Sequence, residues 1–418
     1  YALDNHRGYG RHLAHAGGGG AMKAILRRDI IAMCVAIFFA DVMWSIIAPT
    51  FSLYATQLGA SLDMVGILSS VSGLAQFIFA VPIGMMSDKL GRKSVIAFGF
   101  GLFAAAMMVL VMAQSALALG VARVLFGLAT IATFTIGAAY IGDVIQPHER
   151  GAAFGLYATS MGAGAAVGPL VTALAQPLGG IVGGYMAGAG IGVIGLFITL
   201  IGLAGRPRAR AEMPQHVGPA PGRMIDVLKN PNLLAASLGL MLANTSYVGA
   251  IISFFPLQAA AQGLTLTAIA TLFSARSFAS ALARLPAGLI SGRFSRWAFV
   301  LGSLVMIVLA LVGISVVRDP SVLAGILILE GVAYGAYLSV GQAFVAEHST
   351  DANRGTATGT YSAAGSLGST VSPFVLGAIA GQMGLAAVFG VMAVVALVLL
   401  FVIFLLYWRS RRAARDYS

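Results

Sequence analysis

The chain has 418 residues, of which 59% are hydrophobic and only 9% are charged, and its formal net charge is +11. Soluble domains carry about 25% charged residues, so this composition excludes an ordinary water-exposed globular surface and indicates a polytopic membrane protein. The single cysteine, Cys34, excludes an intramolecular disulfide and any cysteine-rich metal site.

The N-terminal tail, residues 1–29, has two parts. Residues 1–21 are polar and include four consecutive glycines, whereas Met22-Lys-Ala-Ile-Leu-Arg-Arg resembles a natural cytoplasmic start. We therefore expect residues 1–21 to be a non-native extension. The first apolar run is longer than the roughly 7–15 residues of a signal-peptide core, which predicts a retained membrane span.

A membrane-spanning helix needs about 20 predominantly apolar residues. Twelve runs qualify, at 30–55, 63–86, 94–113, 117–143, 151–175, 178–203, 231–257, 265–290, 297–317, 321–346, 355–380 and 384–408. They are numbered spans 1 to 12 below. The sequence therefore predicts an all-α polytopic membrane protein with twelve transmembrane helices.

Lysine and arginine are concentrated on one side of this predicted topology. They lie in the N-terminus, in the turns 87–93, 144–150, 291–296 and 347–354, in 204–230 and in 409–418. The alternate gaps contain none, except for Arg318 beside Asp319. The positive-inside rule predicts that both termini are cytoplasmic. Because these residues do not form one basic face, no nucleic-acid partner is expected.

Residues 204–230 form the one sizeable gap between spans. They mix basic residues with prolines: Arg206, Arg208, Arg210, Arg223 and Lys229 with Pro207, Pro214, Pro219 and Pro221. This composition predicts a cytoplasmic linker between halves 30–203 and 231–408, with 409–418 as a C-terminal tail. A contact with anionic lipid is the alternative function for the linker.

An internal repeat relates the two halves. Residues 84–93 have the sequence GMMSDKLGRK, and residues 288–296, 204 positions later, have GLISGRFSR. The same offset pairs Gly59 with Gly263, Pro82 with Pro286, Gly127 with Gly331, Asp143 with Glu347, Gly155 with Gly359, Tyr157 with Tyr361, Gly164 with Gly368 and Pro169 with Pro373. We therefore predict two pseudo-symmetric six-helix bundles. Parallel repeats of this kind place a substrate site near the bilayer midplane.

Three motifs resemble those of the major facilitator superfamily, and the resemblance covers residues 22–410. The signature between spans 2 and 3 is matched by Gly84, Asp88, Gly91, Arg92 and Lys93. An antiporter-like motif in span 5 comprises Gly155, Gly164, Gly168 and Pro169, with Thr172 at the usual closing glycine. Arg123 and Gly127 resemble a third motif, whose arginine is implicated in proton coupling. Within the superfamily, the chain resembles the twelve-span drug:proton antiporters.

The resemblance implies a cytoplasmic gate. It assigns a charge relay to Asp88, Arg92 and Asp143. In the second half Gly292 stands where the first half has Asp88. The gate is therefore expected to be asymmetric, with Arg284, Arg293, Arg296 and Glu347 as the remaining charged members. The alternative is that these charges only fix the membrane topology.

Away from the ends of the predicted spans, five charged residues lie inside them: Asp41, Arg123, Arg276, Arg284 and Glu330. Asp41 lies about 16 Å into span 1 at 1.5 Å per residue. A charge at that depth is costly. Because a proton neutralises the charge, a carboxylate at this position is suited to bind and release one. We predict proton coupling at Asp41, Arg123 and Glu330, with a static Asp41–Arg123 ion pair as the alternative.

The resemblance implies that spans 1, 4, 7 and 10 line a central cavity. The substrate-cavity candidates are Trp44, Asn244, Tyr247, Arg276, Tyr334 and Tyr337. Arg276 is a candidate contact for an anionic substrate, and the alternative is that it pairs with an acid such as Glu330. Phe51, Phe254 and Phe255 are further aromatic candidates, for which lipid or helix contacts are the alternative.

These observations predict a secondary transporter that exports small apolar or amphipathic molecules by alternating access, driven by proton entry. No phosphate-binding loop, zinc-spaced His/Cys set or nucleophile constellation is present in the sequence. We therefore expect no enzyme activity, catalytic residue, cofactor or metal. The expected partners are a small-molecule substrate, protons and membrane lipid, in a monomer of the bacterial inner membrane. The alternatives are a proton-coupled importer of a metabolite or organic anion and, more remotely, a non-transporting sensor or lipid scramblase.

Overall fold

A computed structural model describes residues 27–146, 149–205, 224–291, 295–350 and 353–415. Within these ranges twelve helices are long and apolar enough to cross a membrane. They are Arg28–Gln57, Leu62–Leu90, Arg92–Val111, Ala116–Val144, Arg150–Ala175, Gly180–Gly202, Pro231–Ala261, Leu266–Ser291, Arg296–Val316, Pro320–His348, Arg354–Met383 and Leu385–Arg415. The described residues contain no β-strand. The predicted all-α fold with twelve spans is confirmed.

Three spans depart from a regular α-helix. Span 1 is interrupted between its helices Arg28–Ile46 and Phe51–Gln57. Span 4 contains a π-helical turn at Ile131–Thr135, and span 7 contains one at Thr245–Ile252. Such wide turns occur frequently at functional sites. A 3-10 turn, Gln176–Leu178, follows span 5, and a short helix, Met224–Lys229, precedes span 7.

The repeat is visible in the backbone as well as in the sequence. Gly59 and Gly263 follow spans 1 and 7 with φ angles of 84° and 86°, a conformation that favours glycine. A Cβ at Gly127 would lie 2.5 Å from the carbonyl oxygen of Ser72, and one at Gly331 would lie 2.3 Å from that of Arg276. Both pairs are related by the 204-residue offset. The same close helix contact is therefore built twice.

The two halves meet along two pairs of helices. Span 2 packs against span 11, and span 5 packs against span 8. The repeat relates span 2 to span 8 and span 5 to span 11, so these two seams are equivalent. The other major helix contacts lie among spans 1 to 6 or among spans 7 to 12. The exact boundaries of the halves stay a prediction, and most of the predicted linker lies outside the described residues.

The seams are closest at one end of the molecule. A Cβ on Gly66 would lie 2.4 Å from the carbonyl oxygen of Pro373 and 2.6 Å from Cα of Gly377. Near the end that carries the charged turns, a Cβ on Gly84, Gly155 or Gly359 would meet open space. The halves therefore touch backbone to backbone beside the uncharged turns and leave more room beside the charged ones.

Candidate functional site

A central cavity of about 450 Å³ lies between the halves. Its wall is built by spans 1, 2, 4 and 5 from the first half and by spans 7, 8, 10 and 11 from the second. The interrupted part of span 1 and both π-helical turns contribute wall residues, among them Ile47, Thr135 and Tyr247. The volume falls in the range of about 300–1,000 Å³ typical of small-molecule sites.

Asp41 lies on the cavity wall of span 1 and is 7% exposed. Span 5 approaches it closely, because a Cβ on Gly164 would lie 2.9 Å from Cβ of Asp41. One turn further, a Cβ on Gly168 would lie 2.4 Å from the carbonyl oxygen of Val42. Two glycines of the antiporter-like motif therefore seat span 5 against the turns of span 1 around Asp41. Pro169 lies inside the span 5 helix.

Arg123 is held by backbone oxygens instead of by a carboxylate. Its Nε donates to the carbonyl oxygen of Leu68 at 3.2 Å, and its Nη2 donates to that of Ser69 at 2.7 Å. The guanidinium lies 4.7 Å from the centre of the Phe51 ring. No carboxylate of the described residues lies within ion-pair distance of it. The static Asp41–Arg123 ion pair considered as an alternative is therefore wrong for this conformation.

Arg276 and Glu330 form a fully buried ion pair. Nε of Arg276 lies 2.5 Å from Oε2 of Glu330, and the two side chains are 2% and 0% exposed. The guanidinium stacks 3.5 Å from the Tyr247 ring centre and 5.0 Å from that of Tyr334. The structure thus confirms the alternative in which Arg276 pairs with an acid. Glu330 lies behind Arg276 and does not line the cavity.

A hydrogen-bond chain extends this cluster across three spans. The Tyr334 hydroxyl donates to Oδ1 of Asn244 at 3.0 Å, and Nδ2 of Asn244 donates to the carbonyl oxygen of Gly365 at 3.1 Å. Five of the six cavity candidates lie on the wall: Trp44, Asn244, Tyr247, Arg276 and Tyr334. The sixth, Tyr337, is buried elsewhere, because its hydroxyl donates to the carbonyl oxygen of Ala236 at 2.6 Å. Its assignment to the cavity is corrected.

Arg92 is the centre of the charged turn between spans 2 and 3. Its Nε lies 3.0 Å from Oδ2 of Asp143, and its Nη1 lies 3.0 Å from Oδ1 of Asp88 and 2.8 Å from Oγ of Ser87. Gly91, with a φ of 90°, ends span 2 and lets Arg92 begin the next helix at once. The predicted acid–base–acid set is therefore assembled, whereas Lys93 is half-buried beside it and a Cβ on Gly84 would meet open space.

The second half repeats only part of this arrangement. Arg296 forms an ion pair with Glu347, at positions equivalent to Arg92 and Asp143. Gly292 and Arg293 lie outside the described residues. Arg284, predicted to be a gate residue, lies on the wall of the central cavity instead. The structure therefore separates Arg284 from the Arg296–Glu347 pair.

Comparison with known proteins agrees with the twelve-span architecture. The family model of the Major Facilitator Superfamily matches residues 33–261 and 247–417. The chain belongs to this superfamily. It is an integral membrane transporter with a small-molecule substrate, and it is not an enzyme.

Individual superfamily members are distant from this chain in sequence. Multidrug resistance protein MdtG of Salmonella choleraesuis is 26% identical over 87% of this chain and 92% of its own. Inner membrane transport protein YajR of Escherichia coli is 28% identical over 47% of this chain, a match that spans only 42% of that protein.

Solved structures of other superfamily transporters share the fold. A bacterial homologue of the human lysosomal transporter Spinster, in an inward-facing and occupied conformation, has a TM-score of 0.76 at 15% identity, over 90% of this chain and 96% of its own. A variant of the nucleoside transporter NupG has a TM-score of 0.74 at 17% identity, over 90% and 99% of the two chains.

Several polar wall residues escaped the sequence analysis. They are the serines and glutamine of spans 2, 8 and 11: Ser69, Ser72, Gln76, Ser277, Ser280, Ser366 and Ser369. Within each span these polar residues are three or four positions apart, a spacing that places them on one face of the helix. That spacing inside apolar spans was the available signal, and charge and aromatic content alone missed it.

Replacement of Asp143 by asparagine tests the gate. We expect the two gate conformations to change in ratio by up to about fivefold, because a partly exposed ion pair contributes about 0.2–1 kcal/mol. Spin labels at the exposed positions Ser94 and Ser295 would report the separation of the halves by pulsed electron resonance. The variant Asp319→Asn is the control, since asparagine also caps a helix N-terminus well. An unchanged distance distribution in Asp143→Asn would contradict the gate.

Proposed function

We propose that the protein is a proton-coupled exporter of small amphipathic molecules in the bacterial inner membrane, with both termini cytoplasmic. The observation that carries the proposal is Asp41 on the cavity wall, 7% exposed and without an ion-pair partner within 4 Å among the described residues. The span 5 glycines beside Asp41 resemble an antiporter motif, and the relative MdtG is named for multidrug resistance. Both favour export.

The proposed cycle assigns a separate task to each cluster. A proton that reaches Asp41 removes its charge, and its release restores a carboxylate inside the cavity. Arg92, with Asp88 and Asp143, stabilises one conformation of the charged end. The seams of spans 2 and 11 and of spans 5 and 8 then part or close as the halves rock, which exposes the cavity to alternate sides.

Import together with protons is the second candidate. The observation behind it is that Arg123 and Arg284 lie on the cavity wall, where positive groups suit an organic anion that enters together with protons as well as one that leaves. The two candidates share the fold and differ in the direction in which protons and substrate move relative to one another.

Reconstitution into vesicles with an acidic lumen distinguishes the two. For an antiporter, we expect an added substrate to enter as protons leave, so that a lumenal pH-sensitive dye reports a rise in pH. A cotransporter would not discharge this gradient on substrate addition, but would take up substrate when the outside is acidic. Vesicles without protein are the control, and substrate-driven alkalinisation absent for every member of a chemically varied panel would overturn the export proposal.

A further inference from the structure

The charges on the cavity wall do not balance. Among the residues that the structure describes, three arginines line the cavity, Arg123, Arg276 and Arg284, and Asp41 is the one acid that lines it. Glu330 behind the wall neutralises Arg276 through their buried ion pair. The remaining set, Arg123 and Arg284 against Asp41, has a formal charge of +1 even when Asp41 is ionised. Uncompensated charge inside a membrane protein is costly and marks a substrate or ion path.

The two available acids can each be assigned to one arginine. Glu330 is in contact with Arg276. The positive charge of Arg284 acts on Asp41. Both side chains lie against span 5, where a Cβ added to Gly162 would lie 3.9 Å from Nη1 of Arg284. Arg123 is left without an acid among the described residues. An arginine side chain does not lose its proton in proteins, so Arg123 keeps its positive charge.

The guanidinium of Arg123 is also fixed in position, which suits it to bind a ligand. It is 8% exposed, and two of its nitrogens are fixed by the carbonyl oxygens of Leu68 and Ser69. No acceptor in the described residues bonds to its third nitrogen, Nη1. A guanidinium held in this way keeps a free donor without losing side-chain entropy when a ligand binds, and guanidinium groups suit carboxylates and phosphates.

The same cavity supplies an aromatic surface beside this charge. Phe126 lies next to Arg123, with its ring centre 5.8 Å from the guanidinium, and it lines the cavity together with Trp44 and Tyr247. Aromatic side chains suit the apolar part of a ligand. The wall therefore combines one unmatched cation with a set of aromatic side chains.

We propose that the cavity selects amphipathic organic anions, with the acidic group at Arg123 and the apolar body against Phe126, Trp44 and Tyr247. The inference rests on the proposed function, because it takes this cavity to be the path of the exported molecule. It narrows the substrate class from amphipathic molecules in general to those with a negative head group.

Three probes of one shape test the charge preference: naphthoate, naphthamide and naphthylmethylamine. Calorimetric titration of the full chain in lipid nanodiscs should give naphthoate an affinity about tenfold or more above that of naphthamide, because a hydrogen bond to a charged group contributes about 1.5–3 kcal/mol. The amine should bind most weakly. Binding of the amine as tightly as naphthoate, or tighter, would overturn the inference.

Two variants test the assignment to Arg123. Arg123→Gln should remove the preference for naphthoate over naphthamide. Because Arg123 also holds span 2, a second variant keeps it in place: Ser69→Asp adds a carboxylate beside the guanidinium, and Ser69→Asn is its uncharged control. We expect Ser69→Asp to lose naphthoate affinity and gain affinity for the amine, and Ser69→Asn to keep the wild-type order. The wild-type order in Ser69→Asp would refute the assignment.

The vesicle assay separates this inference from the proposed function. If naphthoate binds in preference to the other probes but no member of the panel discharges the proton gradient, proton-coupled export fails and the anion preference stands. If the amine discharges the gradient and naphthoate does not, export stands and the anion preference is wrong.

Discussion

The variant Asp41→Asn is expected to reduce proton exchange to the level of protein-free vesicles while it still binds and exchanges substrate. Asparagine has nearly the shape of aspartate, so the fit of span 1 against Gly164 and Ala165 is kept. It cannot take up or release a proton in the working pH range. The proton step is therefore removed from the cycle, whereas the cavity and both seams remain.

Two measurements on the same vesicles check this expectation. Substrate-driven change in lumenal pH should disappear in Asp41→Asn, and exchange of labelled for unlabelled substrate without any gradient should persist. Asp319→Asn, an identical chemical change at an exposed helix cap, should behave as wild type in both. Full proton coupling in Asp41→Asn would remove Asp41 from the mechanism. Loss of substrate exchange as well would show that Asp41 binds substrate.

The number and order of the spans could be predicted from the sequence because a bilayer imposes one length on every apolar helix. The face that each helix turns to the cavity could not. Span 10 illustrates the limit: Tyr334 and Leu338, four residues apart, line the cavity, whereas Tyr337 faces span 7. A helix that is apolar on all sides gives no periodic signal for its inward face.

Arg284 shows a second limit. Its position one turn before Gly288 suggested a gate residue, since a long basic side chain near a helix end commonly extends toward the membrane surface. The structure instead directs it into the cavity, where its charge acts on Asp41 from the other half. Only the packing of span 5 against span 8 brings these two positions together. A long-range charge contact of this kind is absent from any local pattern.

The variant Glu330→Gln is expected to destabilise the protein by about 3–5 kcal/mol, the usual cost of breaking a buried ion pair by removing one partner. Arg276 is 2% exposed and would keep its charge without an acid in contact. Stacking on Tyr247 offsets only part of this cost, since a desolvated cation–π contact contributes about 2 kcal/mol. The unfolding free energy in detergent or bicelles, measured by denaturant titration, checks the expectation.

The double variant Arg276→Gln with Glu330→Gln determines which role Glu330 has. Two amides can hydrogen-bond to one another and leave no buried charge, so most of the lost stability should return. If Glu330 is one half of a static ion pair, the stable double variant will also recover proton-coupled transport. If Glu330 carries a proton, as its depth in span 10 first suggested, the double variant will be stable but uncoupled. Stability and coupling measured on the same variant thus separate the cost of an unpaired charge from the loss of a proton carrier, which neither single substitution can do.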